Sequence, residues 1–109
     1  MTESTMLDYK GGKVTWDNSY DWERDNYNYE QDILQIEYGK NCVIDVGSYT
    51  SVDGSHRFVI MVIDFRPYPN DDDKPEAWSR PFASIPCVDK ADMLVQLQRA
   101  IDIYPGMIT

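Results

Sequence analysis

Few residues of the types that perform nucleophilic catalysis occur in this sequence. Its one histidine, His56, comes just after Asp53-Gly54, and any catalytic triad would have to use it as the base. A single histidine beside a turn is far more often an exposed polar residue, because a general base needs a nucleophile within hydrogen-bond reach. The sequence therefore favours a surface role for His56 and a protein that is not an enzyme.

Possible metal ligands are scattered along the chain. Cys42, Cys87 and His56 lack the close spacing of a zinc site, and Asp71-Asp72-Asp73 lacks the later glycine and glutamate of a calcium loop. No glycine-rich phosphate loop occurs. We therefore expect no metal and no cofactor. Both cysteines lie in apolar, strand-like stretches, which favours buried, reduced thiols over a disulfide.

Paired carboxylates are the remaining route to catalysis, and Asp45 and Asp64 are the best candidates. Each lies in an otherwise apolar stretch, so partial burial could raise its pKa as a general acid requires. The competing interpretation, which we favour, is that each lies where its strand meets solvent or pairs with Arg57 or Arg66.

An acidic, aromatic segment lies near the N-terminus. Disordered tails are poor in aromatic residues, so its rings indicate that the segment folds onto the rest of the chain or onto a partner. Tryptophan and tyrosine dominate binding hot spots, although the same rings would equally well cover the second face of a sheet. Including a later acidic loop, the residues predicted to contact a partner are Trp16, Asp17, Tyr20, Asp21, Trp22, Glu23, Asp25, Tyr27, Tyr29, Asp71, Asp72, Asp73 and Trp78.

The overall charge limits the kind of partner. Nineteen acidic residues against ten basic ones give a formal net charge of −9 in 109 residues. Such a field repels nucleic acid and anionic membranes and attracts basic surfaces, although it also serves solubility alone. The chain has no long apolar run and no signal-peptide pattern, so we expect a cytoplasmic protein that binds neither nucleic acid nor membrane directly.

Apolar alternation predicts the elements that would position these residues. Strands are expected at residues 13–16, 33–38, 42–46, 57–65 and 82–88, with Asp53-Gly54 as a two-residue hairpin turn and Pro86 marking an edge strand. Four prolines and three consecutive acids predict a loop over residues 66–81.

Helical spacing follows the last strand. Asp89 is placed to cap a helix that runs to about Tyr104, where Pro105-Gly106 should end it. The length suits one domain, 1–109, made of an acidic aromatic segment (1–32), a β-meander (33–88) and a C-terminal helix (89–104). The predicted fold class is α+β: an antiparallel meander of about four to five strands with the helix packed on one face.

The chain resembles the small acidic immunity proteins of bacterial polymorphic toxin and contact-dependent growth inhibition systems. The resemblance lies in the stretch from Tyr38 to Tyr49, the Asp53-Gly54 turn, the strand from Phe58 to Phe65 and the helix end at Ile103-Tyr104-Pro105. It implies a protein that binds a cognate toxin domain, often a nuclease with a basic cleft, and blocks its active site or substrate groove. Independently of the resemblance, we expect the chain to be a monomer.

Other functions remain open at this point. A phage-type inhibitor whose carboxylates imitate a phosphate backbone would need acids spaced along one face. A small enzyme would use Asp45 or Asp64, and an accessory protein would carry an acidic surface for solubility alone. The resemblance transfers no functional residue, so the predicted contacts above rest on residue type and charge.

Overall fold

The computed structural model describes residues 7–17, 31–50, 52–54 and 56–108, and for residues 16, 17, 31, 32, 50 and 56 it describes the backbone alone. Strands form one antiparallel sheet in which each strand pairs with the next along the chain, so the sheet is a meander. The fold class predicted from the sequence is confirmed. The strands are β1 (Lys13–Asp17), β2 (Gln31–Tyr38), β3 (Cys42–Thr50), β4 (His56–Asp64) and β5 (Ala83–Cys87).

Two α-helices of the described residues lie on the sheet. The long helix α2 (Lys90–Ile108) contacts β3, β4 and β5, whereas the short helix α1 (Lys74–Ser79) contacts β4 and follows a 3-10 helix at Asp71–Asp73. None of the helices in the described ranges is both long and apolar enough to cross a membrane.

The main core lies between the sheet and α2, and strand alternation explains it. Every second side chain of β2, β3 and β4 points to α2, and cross-strand pairs such as Ile36 with Ile44 and Ile44 with Val62 align them in rows. A register shift in β2 between Asp32 and Leu34 inserts Ile33 as an extra residue, so both Ile33 and Leu34 are fully buried.

Helix α2 begins where the sequence predicts. The Asp89 carboxylate accepts a hydrogen bond from the backbone N–H of Asp92 at 2.8 Å, and the Asp92 carboxylate accepts one from the N–H of Val88 at 3.1 Å. The first bond satisfies a donor that the first helical turn leaves open, and the second holds the chain just before the helix against that turn. The predicted apolar stripe is confirmed, with four fully or nearly fully buried side chains at Met93, Leu97, Ala100 and Ile101.

The predicted end of α2 at Tyr104 is wrong, because the helix continues through Pro105 to Ile108. Proline removes one backbone donor from the helix and crowds the carbonyl group four residues earlier, so a helix continues past it only when tertiary contacts compensate. Here Ile108 is fully buried, and Arg66 Nη1 donates to the carbonyl oxygen of Met107 at 3.4 Å. Burial of Ile108 keeps the final turn on the sheet.

The prediction of a structureless loop over residues 66–81 is also wrong. It contains the 3-10 helix and α1, in which Pro75 occupies an early position where no backbone donor is needed. Ala77 is fully buried and Trp78 packs edge to face on Phe65, with ring centroids 6.3 Å apart. These apolar contacts fold the segment onto the sheet.

The turn at Asp53-Gly54 joins β3 and β4 as expected, but in a longer loop. Thr50 pairs with His56, so residues 51–55 separate the strands, and Gly54 alone of the pair takes a positive φ, 87°. The expected edge position of Pro86 is confirmed, since β5 is the last strand of the sheet.

Candidate functional site

The two faces of the sheet differ in what covers them. The face toward α2 is a continuous apolar core, whereas in the described part of the chain the opposite face is covered at one end by α1. We call this opposite face the α1 face. It carries Gln35, Glu37, Val43, Asp45, Met61, Ile63 and Ser84.

A polar row crosses the middle of the α1 face. Gln35 lies opposite Asp45, Asp45 opposite Met61, and Met61 opposite Ser84, on four neighbouring strands. Directly opposed side chains in antiparallel strands have Cβ atoms about 5 Å apart, so the row places an amide, a carboxylate and a thioether in contact range. Asp45 is 6% exposed and is the one buried acid among the described residues.

Trp78 of α1 joins this row to form a cleft. Gln35, Asp45, Met61 and Trp78 together line a cleft of about 430 Å³, which we call the Asp45 cleft. Gln35, Met61 and Trp78 are half-buried, so each presents part of its surface to the cleft. A nearly buried carboxylate thus lies beside an aromatic ring and a polarizable sulfur atom, a combination typical of cation recognition.

The acids before α1 lie close to this cleft. Asp71 and Asp72 are exposed, and Asp73 is about 8 Å along the helix axis from Trp78 at 1.5 Å per residue. Lys74 pairs with Asp71 at 3.5 Å and lies 5.4 Å from the Phe65 ring centroid. Asp71, Asp72 and Asp73 outnumber Lys74, so this segment is negatively charged. It lies within about one Debye length of the cleft at 0.1 M salt, so its charge acts on an ion in the cleft.

The second carboxylate candidate, Asp64, lies on the other face of the sheet. Its carboxylate oxygens accept hydrogen bonds from Arg66 Nη2 at 2.8 Å and Nε at 3.0 Å, a two-point ion pair. These bonds hold the pKa of Asp64 below its ordinary value. The predicted structural pairing with Arg66 is therefore confirmed, and Asp45 and Asp64 cannot act as a pair on one substrate.

The two cysteines are buried and free, as the sequence predicts. Burial raises the pKa of each thiol to about 11. Cys42 pairs with Asp64 at one end of β4 and Cys87 with Phe58 near the other end, so the thiols are far apart. A buried thiol with a raised pKa is a poor nucleophile, because the thiolate is the reactive form.

The structure brings together part of the predicted contact set. Asp71, Asp72, Asp73 and Trp78 lie in one segment beside the α1 face, and the backbone of Trp16 in β1 is in register with Gln35. Sequence reasoning did not assign Gln35, Asp45 or Met61 to a binding surface, because their proximity depends on cross-strand register. Outside the described residues are Tyr20, Asp21, Trp22, Glu23, Asp25, Tyr27 and Tyr29, and the side chain of Asp17 is likewise not described.

Other features offer less chemistry. A groove of about 450 Å³ between the Gly11 turn and the end of α2 is bridged by Lys10, whose Nζ lies 3.7 Å from Asp8 and 3.8 Å from Asp102. In the described ranges, histidines, cysteines and acids form no cluster able to hold a metal ion. The backbone of His56 lies at the start of β4, about 17 Å of strand away from Met61.

Comparison with protein-family models, with curated proteins and with solved structures found no match to this chain.

Proposed function

We propose that this chain is an immunity protein that binds a basic toxin domain in the bacterial cytoplasm and blocks its active site. The observation that carries the proposal is the Asp45 cleft: a nearly buried carboxylate beside Trp78, on a face flanked by Asp71–Asp73. Large rings at the centre of a binding face supply contact area, while acids around them attract a basic partner. The net charge of −9 acts in the same direction over longer range.

Binding is favoured over catalysis by the placement of the reactive groups. The two acids in apolar strands lie on opposite faces, and Asp64 is held by Arg66. Hydrolysis by a pair of carboxylates requires both on the same side of the reacting bond. The described thiols are buried with raised pKa values, so they favour packing over nucleophilic attack.

A protein partner is favoured over mimicry of a nucleic acid. Among the described residues at the Asp45 cleft and beside it, the acids Glu37 and Asp45 lie near the half-buried Met61 and Trp78. A phosphate mimic needs a regular row of exposed acids, whereas protein interfaces combine an apolar centre with a charged rim. The mixed surface supports a protein as the partner.

Co-expression tests the proposal directly. The protein encoded immediately upstream should be produced in a bacterial host with and without this chain. We expect it to arrest growth alone, and this chain to restore growth and to copurify with it at a defined stoichiometry. Arrest that persists despite soluble expression of the chain would contradict an immunity function against that protein.

Charge reversal on opposite sides of the fold tests the docking surface. Asp72→Lys should slow association several-fold at low salt, because long-range attraction steers encounter, and the effect should shrink at high salt. Asp102→Lys is the matched control, since Asp102 is exposed on α2 at the other side of the sheet. Stopped-flow association rates should be equal for the control and the original chain; equal slowing by both variants would remove the α1 side from the interface.

A further inference from the structure

A small recess of about 160 Å³ lies beside α1, where the turn between β2 and β3 meets the loop after β4. The described residues that line it are Lys40, Asn41, Phe65, Tyr68, Pro69 and Lys74. Four of these side chains carry hydrogen-bond donors, two of which are charged, and none of the six is an acid. The recess therefore has the opposite charge to a chain whose net charge is −9. We infer that it binds a carboxylate group, and we call it the Lys40 recess.

Backbone hydrogen bonds hold the walls of the Lys40 recess in place. The N–H of Phe65 donates to the carbonyl oxygen of Asn41 at 2.8 Å, which joins the loop after β4 to the turn between β2 and β3. The N–H of Tyr68 donates to the carbonyl oxygen of Phe65 at 2.9 Å and closes the next turn. Phe65 is buried and Lys74 lies over its ring, so α1 is held at the same place. Walls that are fixed before a ligand enters lower the entropic cost of binding.

Three of the four donors are open to a ligand. Among the described residues, no acid forms an ion pair with Lys40, and no group bonds the side-chain amide of Asn41 or the hydroxyl of Tyr68. Lys40 is exposed, whereas Asn41 and Tyr68 are half-buried. A carboxylate accepts several hydrogen bonds through its two oxygens, so one group can bond the ammonium and a neutral donor together.

The fourth donor, Lys74, is shared with an acid. Its Nζ lies 3.5 Å from Oδ1 of Asp71, whose side chain is 94% exposed. Exposed ion pairs contribute little, and an ammonium group has three N–H donors, so Lys74 can bond a ligand while it stays beside Asp71. Asp71 nevertheless competes for the lysine and repels an anion, so its charge should weaken binding in the recess.

The size and walls of the recess fit a carboxylate on a short apolar stem. Its volume is close to that of an apolar cavity of about 150 Å³ that admits benzene, so it holds on the order of six non-hydrogen atoms. Acetate and the end of an aspartate or glutamate side chain are within this size. Phe65 and Pro69 give the stem an apolar wall. Inorganic phosphate has no apolar part and brings more negative charge toward an acidic protein.

Two sources supply this chemistry: a small carboxylic acid in solution, and an acidic side chain of a protein docked on the α1 face. Lys74 and Trp78 are four residues apart in α1, so they lie on one side of the helix, about 6 Å apart along its axis. Both side chains contact the ring of Phe65. The Lys40 recess and the Asp45 cleft are thus neighbours, and a protein that covers the cleft can reach the recess.

Titration with sodium acetate tests the site without any partner. Acetate should replace chloride at constant ionic strength, so that only the anion changes, while N–H resonances of the labelled chain are followed by NMR. The resonances of Asn41, Phe65 and Tyr68 should shift with a dissociation constant on the order of 10 mM, since so small a ligand gains little free energy. Sodium phosphate should bind more weakly, and tighter binding of phosphate would overturn the assignment to a carboxylate.

Two lysine variants locate the site. Lys40→Gln should weaken acetate binding about five-fold or more, because the ligand loses a charged donor. Lys13→Gln removes the same charge from β1, outside the lining of the recess, and should change the affinity less than about two-fold. Both lysines are exposed, so neither change should alter the circular dichroism spectrum or unfold the chain.

Two aspartate variants test the competition for Lys74. Asp71→Asn should tighten acetate binding about two-fold or more, since it releases the lysine and removes a like charge beside the recess. Asp53→Asn is matched in charge but lies beyond the far end of β3, about 26 Å of strand from the recess, and should leave the affinity unchanged. Acetate affinity that is the same in Lys40→Gln, or in Asp71→Asn, as in the original chain would overturn the site.

The protein that copurifies with this chain distinguishes the two sources. Loss of the acetate response in the complex, together with a weaker complex for Lys40→Gln, assigns the carboxylate to the partner. A complex that Lys40→Gln does not weaken assigns it to a small molecule, and either result supports the site. Acetate binding requires no toxin, so the Lys40 recess stands or falls separately from the immunity function.

Discussion

Replacing Ile108 by alanine should destabilise the fold by about 2 to 3 kcal/mol, although the residue lies in the last turn of α2, beyond a proline. Ile108 is fully buried, and isoleucine-to-alanine changes in a core typically cost about 2 to 5 kcal/mol. The lower half of that range applies because a final helical turn can relax into part of the space that the side chain leaves. In a domain of this size the melting temperature should fall by roughly 8 to 15 °C.

Met107 supplies the matched control. Its side chain is 55% exposed and follows the same proline in the same helical turn, so Met107→Ala should change stability by no more than about 0.5 kcal/mol. Ile108→Val should fall between the two, at about 0.5 to 1.5 kcal/mol. Urea unfolding followed by circular dichroism measures all three as shifts in midpoint with an unchanged slope.

The comparison tests whether α2 passes through Pro105 in solution. If the helix ended at Tyr104, Ile108 would belong to a frayed terminus and its truncation would cost little. Equal midpoints for Ile108→Ala and Met107→Ala would therefore refute the burial of the last turn and the account of why the proline does not end the helix.

Three further outcomes are expected. The folded-state pKa of Asp64 is lowered, so its ion pair with Arg66 should stabilise the fold fully at pH 7. This stabilisation should be lost as the pH falls below about 3.9 and passes the lowered pKa. Asp64→Asn and the original chain should therefore converge in melting temperature at low pH. Gly12→Ala should cost about 1 to 3 kcal/mol in urea unfolding, since its Cβ would lie 2.5 Å from Ile36 and Tyr38. Cys42 and Cys87, each with a pKa raised to about 11, should react with a thiol reagent at pH 8 far more slowly than in urea; a fast native reaction would contradict their burial.

Features set by neighbours in sequence were predictable. The alternation of Leu34, Ile36 and Tyr38 follows from strand geometry, and all three side chains are in the α2-side core. The start of α2 at Asp89 depends on a bond that spans three residues, so its signal is also local. Nothing beyond the chain segment itself is needed for either prediction.

Features set by distant contacts were not predictable. Helix α1 forms in a proline-rich, acidic stretch because Ala77 and Trp78 find apolar partners on the sheet, among them Phe65. The last turn of α2 depends in the same way on burial of Ile108. Local propensity argues against both elements, and tertiary burial overrides it.

The candidate site shows the same limit. Asp45 drew attention because an acid in an apolar strand is unusual, but its neighbours in the cleft come from β2, β4 and α1. Which residue of another strand lies opposite Asp45 depends on register, and a shift of one residue would exchange Met61 for a side chain of the other face. Residue type therefore indicated the carboxylate and could not indicate the cleft.

Asp45 and Asp64 look alike in the sequence, since each is an acid in an apolar strand. In the fold their side chains lie on opposite faces of the sheet, because successive side chains of a strand alternate between the two faces. Asp64 ends β4 on the α2 side, and the chain turns immediately after it, so Arg66 can reach back to the carboxylate in two-point contact. Asp45 lies in the middle of β3 on the other side, where its neighbours along the strand on that face are Val43 and Gly47 and its cross-strand neighbours are Gln35 and Met61. Two acids of the same type thus differ in role because one lies at a strand end, where a residue two positions on can return to it, and the other lies mid-strand, where only residues of other strands are beside it. Register decides which residues those are, and so it decides which of the two acids becomes part of a cleft.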